Sequence, residues 1–287
     1  MRSISRSLAI ASLLLSATFA APGRADDLPE KGREILNKYR HAVVTLELVQ
    51  KAATPGRAAR EGKQEITGTV VDPSGLIVVS LSACDPSELY RRLSEEYKTE
   101  IEITDMKIML EDGTELPAEI VLRDKDQDLA FVRAKIKPSS PMEAVDLSKS
   151  GPVDVLDPVI TLNRLKQAAG RAYSASVERV SAVVRKPRTF YIPDSSQSET
   201  SVGSPAFSLN GSIVGMVVMR AVNAQSAANY RDCITAIILP AEDIAKAAAQ
   251  APAEAKPDEE KKAATPDATK VPKDAAPKTD APKESSK

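Results

Sequence analysis

Short runs rich in apolar and β-branched residues recur along most of the chain, and residues that favour turns separate them. In the second half of the sequence, six such runs are strand candidates: residues 155–162, 175–184, 189–192, 206–209, 212–219 and 234–239. Many short strands at close spacing favour antiparallel sheets over β-α-β units. The pattern alone predicts a mostly β protein.

Three turn signals predict hairpins between apolar runs. Asn210-Gly211 suits a tight turn whose central residues need positive φ, and Asp112-Gly113 gives a second bend of this kind. Asp72-Pro73-Ser74-Gly75 has Pro and Gly where a β-turn favours them. Residues 51–62, by contrast, are polar, rich in Ala and Arg and interrupted by Pro55-Gly56. This segment is predicted to be a mobile loop.

A few helical patterns accompany the candidate strands. Residues 27–39 place apolar side chains on one face, with Asp27 as a cap and Pro29 in the first turn. Asp85 opens a second helix in a capping-box-like pattern. Residues 240–250 are good helix formers and predict a closing helix.

Both ends of the chain differ from its middle. Residues 1–25 have the form of a secretory signal, with two early arginines, an apolar run and small residues that permit cleavage after Ala25 or Ala20. An uncleaved N-terminal anchor is the alternative, although the run is short for a membrane span. Residues 251–287 alternate Ala, Pro, Lys, Asp and Glu, which predicts a disordered tail. We therefore expect an exported protein, periplasmic or secreted, without an integral membrane span.

Composition narrows the classes of function. In the 287-residue chain the formal net charge is −1 and aromatic residues make up 3 %, so no nucleic-acid surface is expected. Cys84 and Cys233 are predicted to be two free, buried residues. His41 is the one histidine of the chain. A metal site is not expected, because zinc usually takes three or four imidazole or thiolate ligands. No cofactor is predicted.

Three blocks of sequence carry specific motifs. Residues 199–218 resemble the nucleophile loop of trypsin-like serine proteases, followed by a strand, a two-residue turn and a second strand. Residues 66–84 resemble the hairpin that delivers the catalytic histidine in HtrA/Deg-type proteases. Residues 106–135 resemble the block that carries the catalytic aspartate of that family. Over residues 28–250 the chain is similar to a trypsin-like domain of the HtrA/Deg type.

This resemblance implies an all-β fold of two six-stranded antiparallel β-barrels with short flanking helices. The first barrel is expected within residues 26–137, and the second barrel and closing helix within 142–250. The PDZ domain that HtrA-type proteins usually carry after the protease domain is missing from the sequence.

The nucleophile loop departs from the family at its centre. Gly203-Ser204-Pro205 align with the Gly-Gly-Pro step, which places Val202 on the catalytic serine. Thr200 falls on the glycine whose N–H helps to form the oxyanion hole. A valine has no hydroxyl, and a β-branched residue would be strained at a glycine position. The resemblance therefore implies that neither the nucleophile nor the oxyanion hole is intact.

Of the other two triad positions, the resemblance implies that the histidine is replaced and the aspartate is retained. The catalytic histidine aligns with Ser82 or, in the alternative register, with Ala83, and neither side chain can act as a base. The catalytic aspartate aligns with Asp128, which is retained. His41 lies at the entry of the first strand, before any protease motif begins.

Three hypotheses of function follow. The favoured one is a catalytically inactive protease homologue that binds a protein or peptide in the interbarrel cleft or at a strand edge. The second is an active HtrA-type serine endopeptidase with an unrecognised base, in which Ser82, Ser201 or Ser204 would act with Lys166 or Lys186. The third is a structural envelope protein in which the tail makes the contacts. The oligomeric state is left open.

Overall fold

The computed structural model describes residues 27–93, 98–194, 202–222 and 233–254. The predicted signal segment, Thr200, Ser201 and the tail from residue 255 onwards lie outside these ranges and stay predictions.

Twelve strands make up nearly half of the described chain. They are β1 Val43–Ala53, β2 Arg60–Asp72, β3 Leu76–Ser80, β4 Glu100–Met109, β5 Glu115–Asp124, β6 Leu129–Ala134, β7 Pro158–Arg164, β8 Tyr173–Val184, β9 Phe190–Pro193, β10 Pro205–Ser208, β11 Ile213–Ala221 and β12 Ile234–Pro240. Four α-helices accompany them: α1 Leu28–Tyr39, α2 Leu81–Cys84, α3 Ser87–Leu93 and α4 Ala241–Ala248. Short 3₁₀ turns cover Arg40–Ala42, Leu147–Lys149 and Gln167–Ala169.

The strands close into two antiparallel barrels. The first barrel has the order β1-β2-β3-β6-β5-β4, and the second has the order β10-β11-β12-β9-β8-β7. Each barrel thus contains six strands, as the resemblance implied, and the all-β prediction is confirmed.

Local turn chemistry explains the hairpin between β10 and β11. Gly211 has φ +81°, a backbone conformation that glycine adopts without strain. The Asn210 side chain accepts a hydrogen bond from the Ser212 N–H at 2.9 Å and fixes the bend. The strands on either side bury their apolar residues, so the turn fixes the register in which β10 and β11 pair.

The predicted loop at residues 51–62 is wrong for half of its length, and only residues 54–59 lie outside the strands. Strand β1 continues to Ala53 and β2 begins at Arg60, with ten paired positions between the two strands from Val43 to Ala52. Strand β4 pairs along the other side of β1. Hydrogen bonding on both sides of β1 compensates for the low strand propensity of the Ala- and Lys-containing segment.

The two barrels share their apolar core. One cluster joins Leu46 and Ile108 of the first barrel to Ile160 and Phe207 of the second. Helix α1 precedes the first barrel in sequence but packs against β7 and β8 of the second. Its Tyr39 ring stacks on Phe207 with the ring centroids 4.5 Å apart. The barrels therefore hold a fixed relation along a continuous packed interface.

The remaining sequence predictions concern cysteines, membrane spans and metals. Cys84 and Cys233 are buried and free, and burial raises the pKa of the Cys84 thiol. None of the helices within the described ranges has the length and apolar character needed to cross a membrane. In the same ranges, no cluster of three or more His, Cys, Asp or Glu side chains could hold a metal ion.

Candidate functional site

Asp128 is positioned by the tight bend between β5 and β6. The Asp124 carboxylate accepts hydrogen bonds from the backbone N–H groups of Asp126 and Gln127, each at 3.0 Å, which closes the bend. Asp128 itself has φ +58°, an uncommon conformation for a residue with a side chain. Its carbonyl accepts the Leu81 N–H at 2.9 Å, so the bend is attached to the start of α2.

The Asp128 carboxylate accepts four hydrogen bonds. In the first barrel, Ser80 Oγ donates at 2.5 Å, Ser82 N at 2.7 Å and Ser82 Oγ at 3.0 Å. In the second barrel, the backbone N–H of Met219 in β11 donates at 2.9 Å. The carboxylate thus joins the two barrels, and donors of the chain itself occupy it.

Desolvation dominates the ionisation of Asp128. The residue is half-buried, and loss of hydration around its carboxylate raises the pKa to about 6. The hydrogen bonds from Ser80, Met219 and Ser82 oppose this increase, because they stabilise the charged form.

Ser82 and Ala83 take different places beside this carboxylate. Ser82 contacts Asp128 through both its backbone N–H and its hydroxyl. The Ala83 N–H points to Ser80 Oγ at 3.4 Å, and its carbonyl accepts the Gln64 side-chain amide at 2.8 Å. Neither side chain supplies an imidazole, so Asp128 has no base to orient.

The segment at Val202 and Gly203, which precedes β10, packs closely against β2 of the first barrel. Gly203 has φ +93°, and a Cβ atom there would lie 2.2 Å from the carbonyl oxygen of Thr67 in β2. The Gly203 carbonyl accepts the Thr69 hydroxyl at 3.0 Å. Only glycine fits this close approach, and the approach holds the neighbouring Val202 in place with 8 % of its surface exposed.

Two hollows meet around these residues. Asp128 lines a narrow one of about 50 Å³. Val202 and Ala83 line the other, of about 300 Å³, between β2 and the α2–α3 segment. Ser82 and Met219 border both hollows. We call the larger hollow the central cleft; its walls are Gln64, Glu65, Ile66, Thr67, Ser82, Ala83, Pro86, Leu89, Tyr90, Lys166, Val202 and Met219.

The alternative nucleophiles and bases are mostly misplaced for catalysis. Ser204 is fully buried and its hydroxyl has no partner among the described residues, so a substrate cannot reach it. The His41 Nδ1 atom pairs with Glu111 at 2.7 Å, and His41 lines a separate hollow between the barrels. Lys186 lines neither the Asp128 hollow nor the central cleft, whereas Lys166 lines the cleft.

Sequence reasoning missed several groups that shape the site. Ser80 and the Met219 N–H hold Asp128, and Glu65 of β2 forms an ion pair with Arg171 of the second barrel at 2.5 Å. These partners lie far from each other along the chain, and no local motif marks them. Only Ser80 carried a signal, as the hydroxyl residue ending the strand that leads to Ser82.

Comparisons with known proteins agree with this fold. The trypsin-like peptidase domain family matches residues 66–216, which is more than half of the chain. The chain belongs to the trypsin-like peptidase domain family.

Two solved structures resemble the chain at low sequence identity. One is the MamO protease domain from Magnetospirillum magneticum in its apo form, with 15 % identity and a TM-score of 0.47 over 73 % of this chain and 96 % of that one. The other is the HtrA-type protease AlgW with a decapeptide, with 14 % identity and a TM-score of 0.51 over 74 % of this chain. The match spans 63 % of the AlgW chain. No curated protein matches the sequence.

Proposed function

We propose that this trypsin-like domain is catalytically inactive and binds a peptide or protein segment in the central cleft. The observation that carries the proposal is the combination at the family's catalytic positions: a carboxylate at Asp128 that serine and backbone donors already occupy, and an aliphatic side chain at Val202. Acyl transfer by this fold requires an activated hydroxyl and an imidazole. Among the described residues, neither group lines the central cleft at these positions, and His41 lies in a separate hollow.

The proposed lack of catalytic activity is tested with a fluorophosphonate probe that reacts with activated serines. We expect the purified full-length protein to remain unlabelled under conditions that label trypsin completely, because no imidazole of the described residues lines the cleft beside Ser82. Labelling of the wild-type protein would overturn the inactive assignment, and labelling lost in Ser82→Ala would establish the second hypothesis instead. That hypothesis has one observation in its favour, since Ser82 and Lys166 line the same cleft.

Binding in the cleft is tested by filling it. Ala83 is half-buried on the cleft wall, so Ala83→Phe places a ring in the hollow. Ala175→Phe makes the same change at an exposed position of β8 outside the cleft. On an array of immobilised decapeptides, we expect Ala83→Phe to lose the wild-type signal and Ala175→Phe to keep it, with similar melting temperatures. Equal capture by both variants would place the binding surface elsewhere.

The third hypothesis, a structural role for the tail, makes a different prediction. A variant that ends after Lys256 keeps the central cleft and should keep peptide binding. Loss of all partner binding in this variant would favour the tail as the interaction element.

We also propose that the protein is exported by its N-terminal signal. The support is the sequence of residues 1–25, with its charged start, apolar run and small residues. N-terminal sequencing of protein expressed with its full leader should find a mature chain that begins after Ala25 or Ala20. A retained Met1 in the membrane fraction would indicate an uncleaved anchor.

A further inference from the structure

The polar side chains of the central cleft are almost all engaged by the protein itself. The Thr67 hydroxyl donates to Asn163 Oδ1 at 2.6 Å, and the Gln64 amide donates to the Ala83 carbonyl at 2.8 Å. The Ser82 hydroxyl is within 3.0 Å of Asp128. A ligand in the cleft would have to compete with these hydrogen bonds, so these groups are poor recognition elements.

Glu65 is the one acidic side chain on the cleft wall, and its charge is compensated. Its Oε1 atom accepts Arg171 Nε at 2.9 Å and Nη2 at 2.5 Å, and its Oε2 atom accepts the Gln167 N–H at 2.9 Å. Two charge-assisted hydrogen bonds to Oε1 and one backbone hydrogen bond to Oε2 leave the carboxylate little acceptor capacity for a ligand.

Lys166 is the exception. Its side chain is exposed on the rim of the cleft, and no carboxylate of the described residues lies within ion-pair distance of it. Glu65, its acidic neighbour on the cleft wall, is already paired with Arg171. The uncompensated charge of the cleft wall is therefore positive.

Much of the remaining wall is apolar. Ile66, Ala83, Leu89, Val202 and Met219 face a volume of about 300 Å³. This volume is at the low end for ligand pockets and fits one bulky side chain of an extended chain better than a cofactor. Burial of such a side chain would supply affinity without any polar partner.

We propose that the central cleft selects an extended peptide segment with a bulky aliphatic side chain and a neighbouring Asp or Glu that pairs with Lys166. The inference rests on the proposed function and specifies its ligand class. The aliphatic side chain fills the hollow at Val202, and the carboxylate meets Lys166, the cleft charge that has no counter-ion among the described residues. Because Lys166 is on the exposed rim, the pair contributes modestly and weakens with added salt.

The test uses an array of acetylated, amidated decapeptides of Ala, Gly, Ser and Thr, each with one central leucine. A neighbouring position carries Asp, Asn or Lys in otherwise identical peptides. We expect the wild-type protein to prefer Asp over Asn by about two- to fivefold, the range that exposed ion pairs give. Lys166→Glu should reverse the order in favour of Lys. Lys137→Glu makes the same charge change at an exposed position outside the central cleft and should leave the preference intact.

The outcomes separate the two proposals. Binding of leucine peptides without a charge preference, or with a preference that survives in Lys166→Glu, would overturn the acidic-ligand inference and leave the proposed function standing. Absence of binding by every peptide on the array would overturn both. A control set on the same array has Ser in place of the central leucine, and equal binding of the two sets would overturn the assignment of an aliphatic side chain to the hollow.

Discussion

Asp128 accepts hydrogen bonds from both barrels, and its ionisation is therefore coupled to folding. Its pKa in the folded protein is about 6, whereas an unfolded aspartate titrates near 3.9. The folded state thus holds the proton more tightly. This contribution to stability is fully present below about pH 4 and is lost as the pH rises through about 6. The shift corresponds to about 3 kcal/mol at neutral pH.

We predict that Asp128→Asn removes this dependence. Between pH 4 and pH 7, the unfolding free energy of the wild-type protein should fall relative to that of the variant by up to about 3 kcal/mol. Urea titrations at half-unit pH steps measure the difference, and the other carboxylates cancel because both proteins contain them. Ser82→Ala removes a donor that lowers the pKa of Asp128, so its transition should move to higher pH. Parallel pH profiles for the wild type and Asp128→Asn would contradict the coupling.

At the scale of elements, helix α4 and the residues after it tie the second barrel to the first. Ile244 and Ala247 of α4 pack in one cluster with Phe131 of β6. Beyond the helix, the Pro252 carbonyl accepts Arg133 Nε at 2.7 Å, and Arg133 Nη1 also donates to Ser74 Oγ at 2.9 Å. The sequence pattern assigned residues from 251 onwards to the tail, because Pro and charged residues begin there.

We predict that two truncations differ in stability. A chain that ends after Lys256 keeps the whole compact unit and should unfold like the full-length protein. A chain that ends after Gln250 loses the Pro252 acceptor, leaves the guanidinium of the buried Arg133 without that partner, and should lose about 1–3 kcal/mol. Thermal and urea unfolding of both chains measure the difference. Identical curves would show that the Arg133 contact is dispensable.

The β1–β2 hairpin shows where prediction of elements from sequence reached its limit. The apolar residues at the start of β1 and the end of β2 suit strands, but residues 51–62 contain Ala, Arg, Pro and Gly and suggest a loop. Pairing with β4 extends β1 to Ala53, and that pairing joins residues about fifty positions apart in sequence. Local composition does not report such a partner.

At the scale of the whole molecule, the two barrels should unfold together. Their apolar residues form shared clusters, such as that of Leu76 and Phe131 with Met216 and Leu239. We predict a single transition in which the calorimetric and van't Hoff enthalpies agree. Hydrogen exchange of β1 and β12 should give the same global free energy. Two resolved transitions would indicate that the interface contributes less than the separate cores.

The predictable part of the molecule is the part with local signals. Turn residues such as Asn210-Gly211 and the three protease-like blocks were sufficient to predict the two barrels, whereas the alignment of Val202 with the catalytic serine stays a prediction. The partners of Asp128 and the Glu65–Arg171 pair could not be predicted, because contacts between segments about a hundred residues apart depend on the assembled fold.

The retention of Asp128 has a consequence for how protease families are surveyed. A carboxylate that fastens one barrel to the other has a structural role, whether or not a reaction takes place beside it. If the proposed inactive state is correct, counting members of such a family as active because an aspartate aligns with the acid of the triad would include chains like this one. The positions of the catalytic serine and histidine are the informative ones for judging whether a member of the family is active.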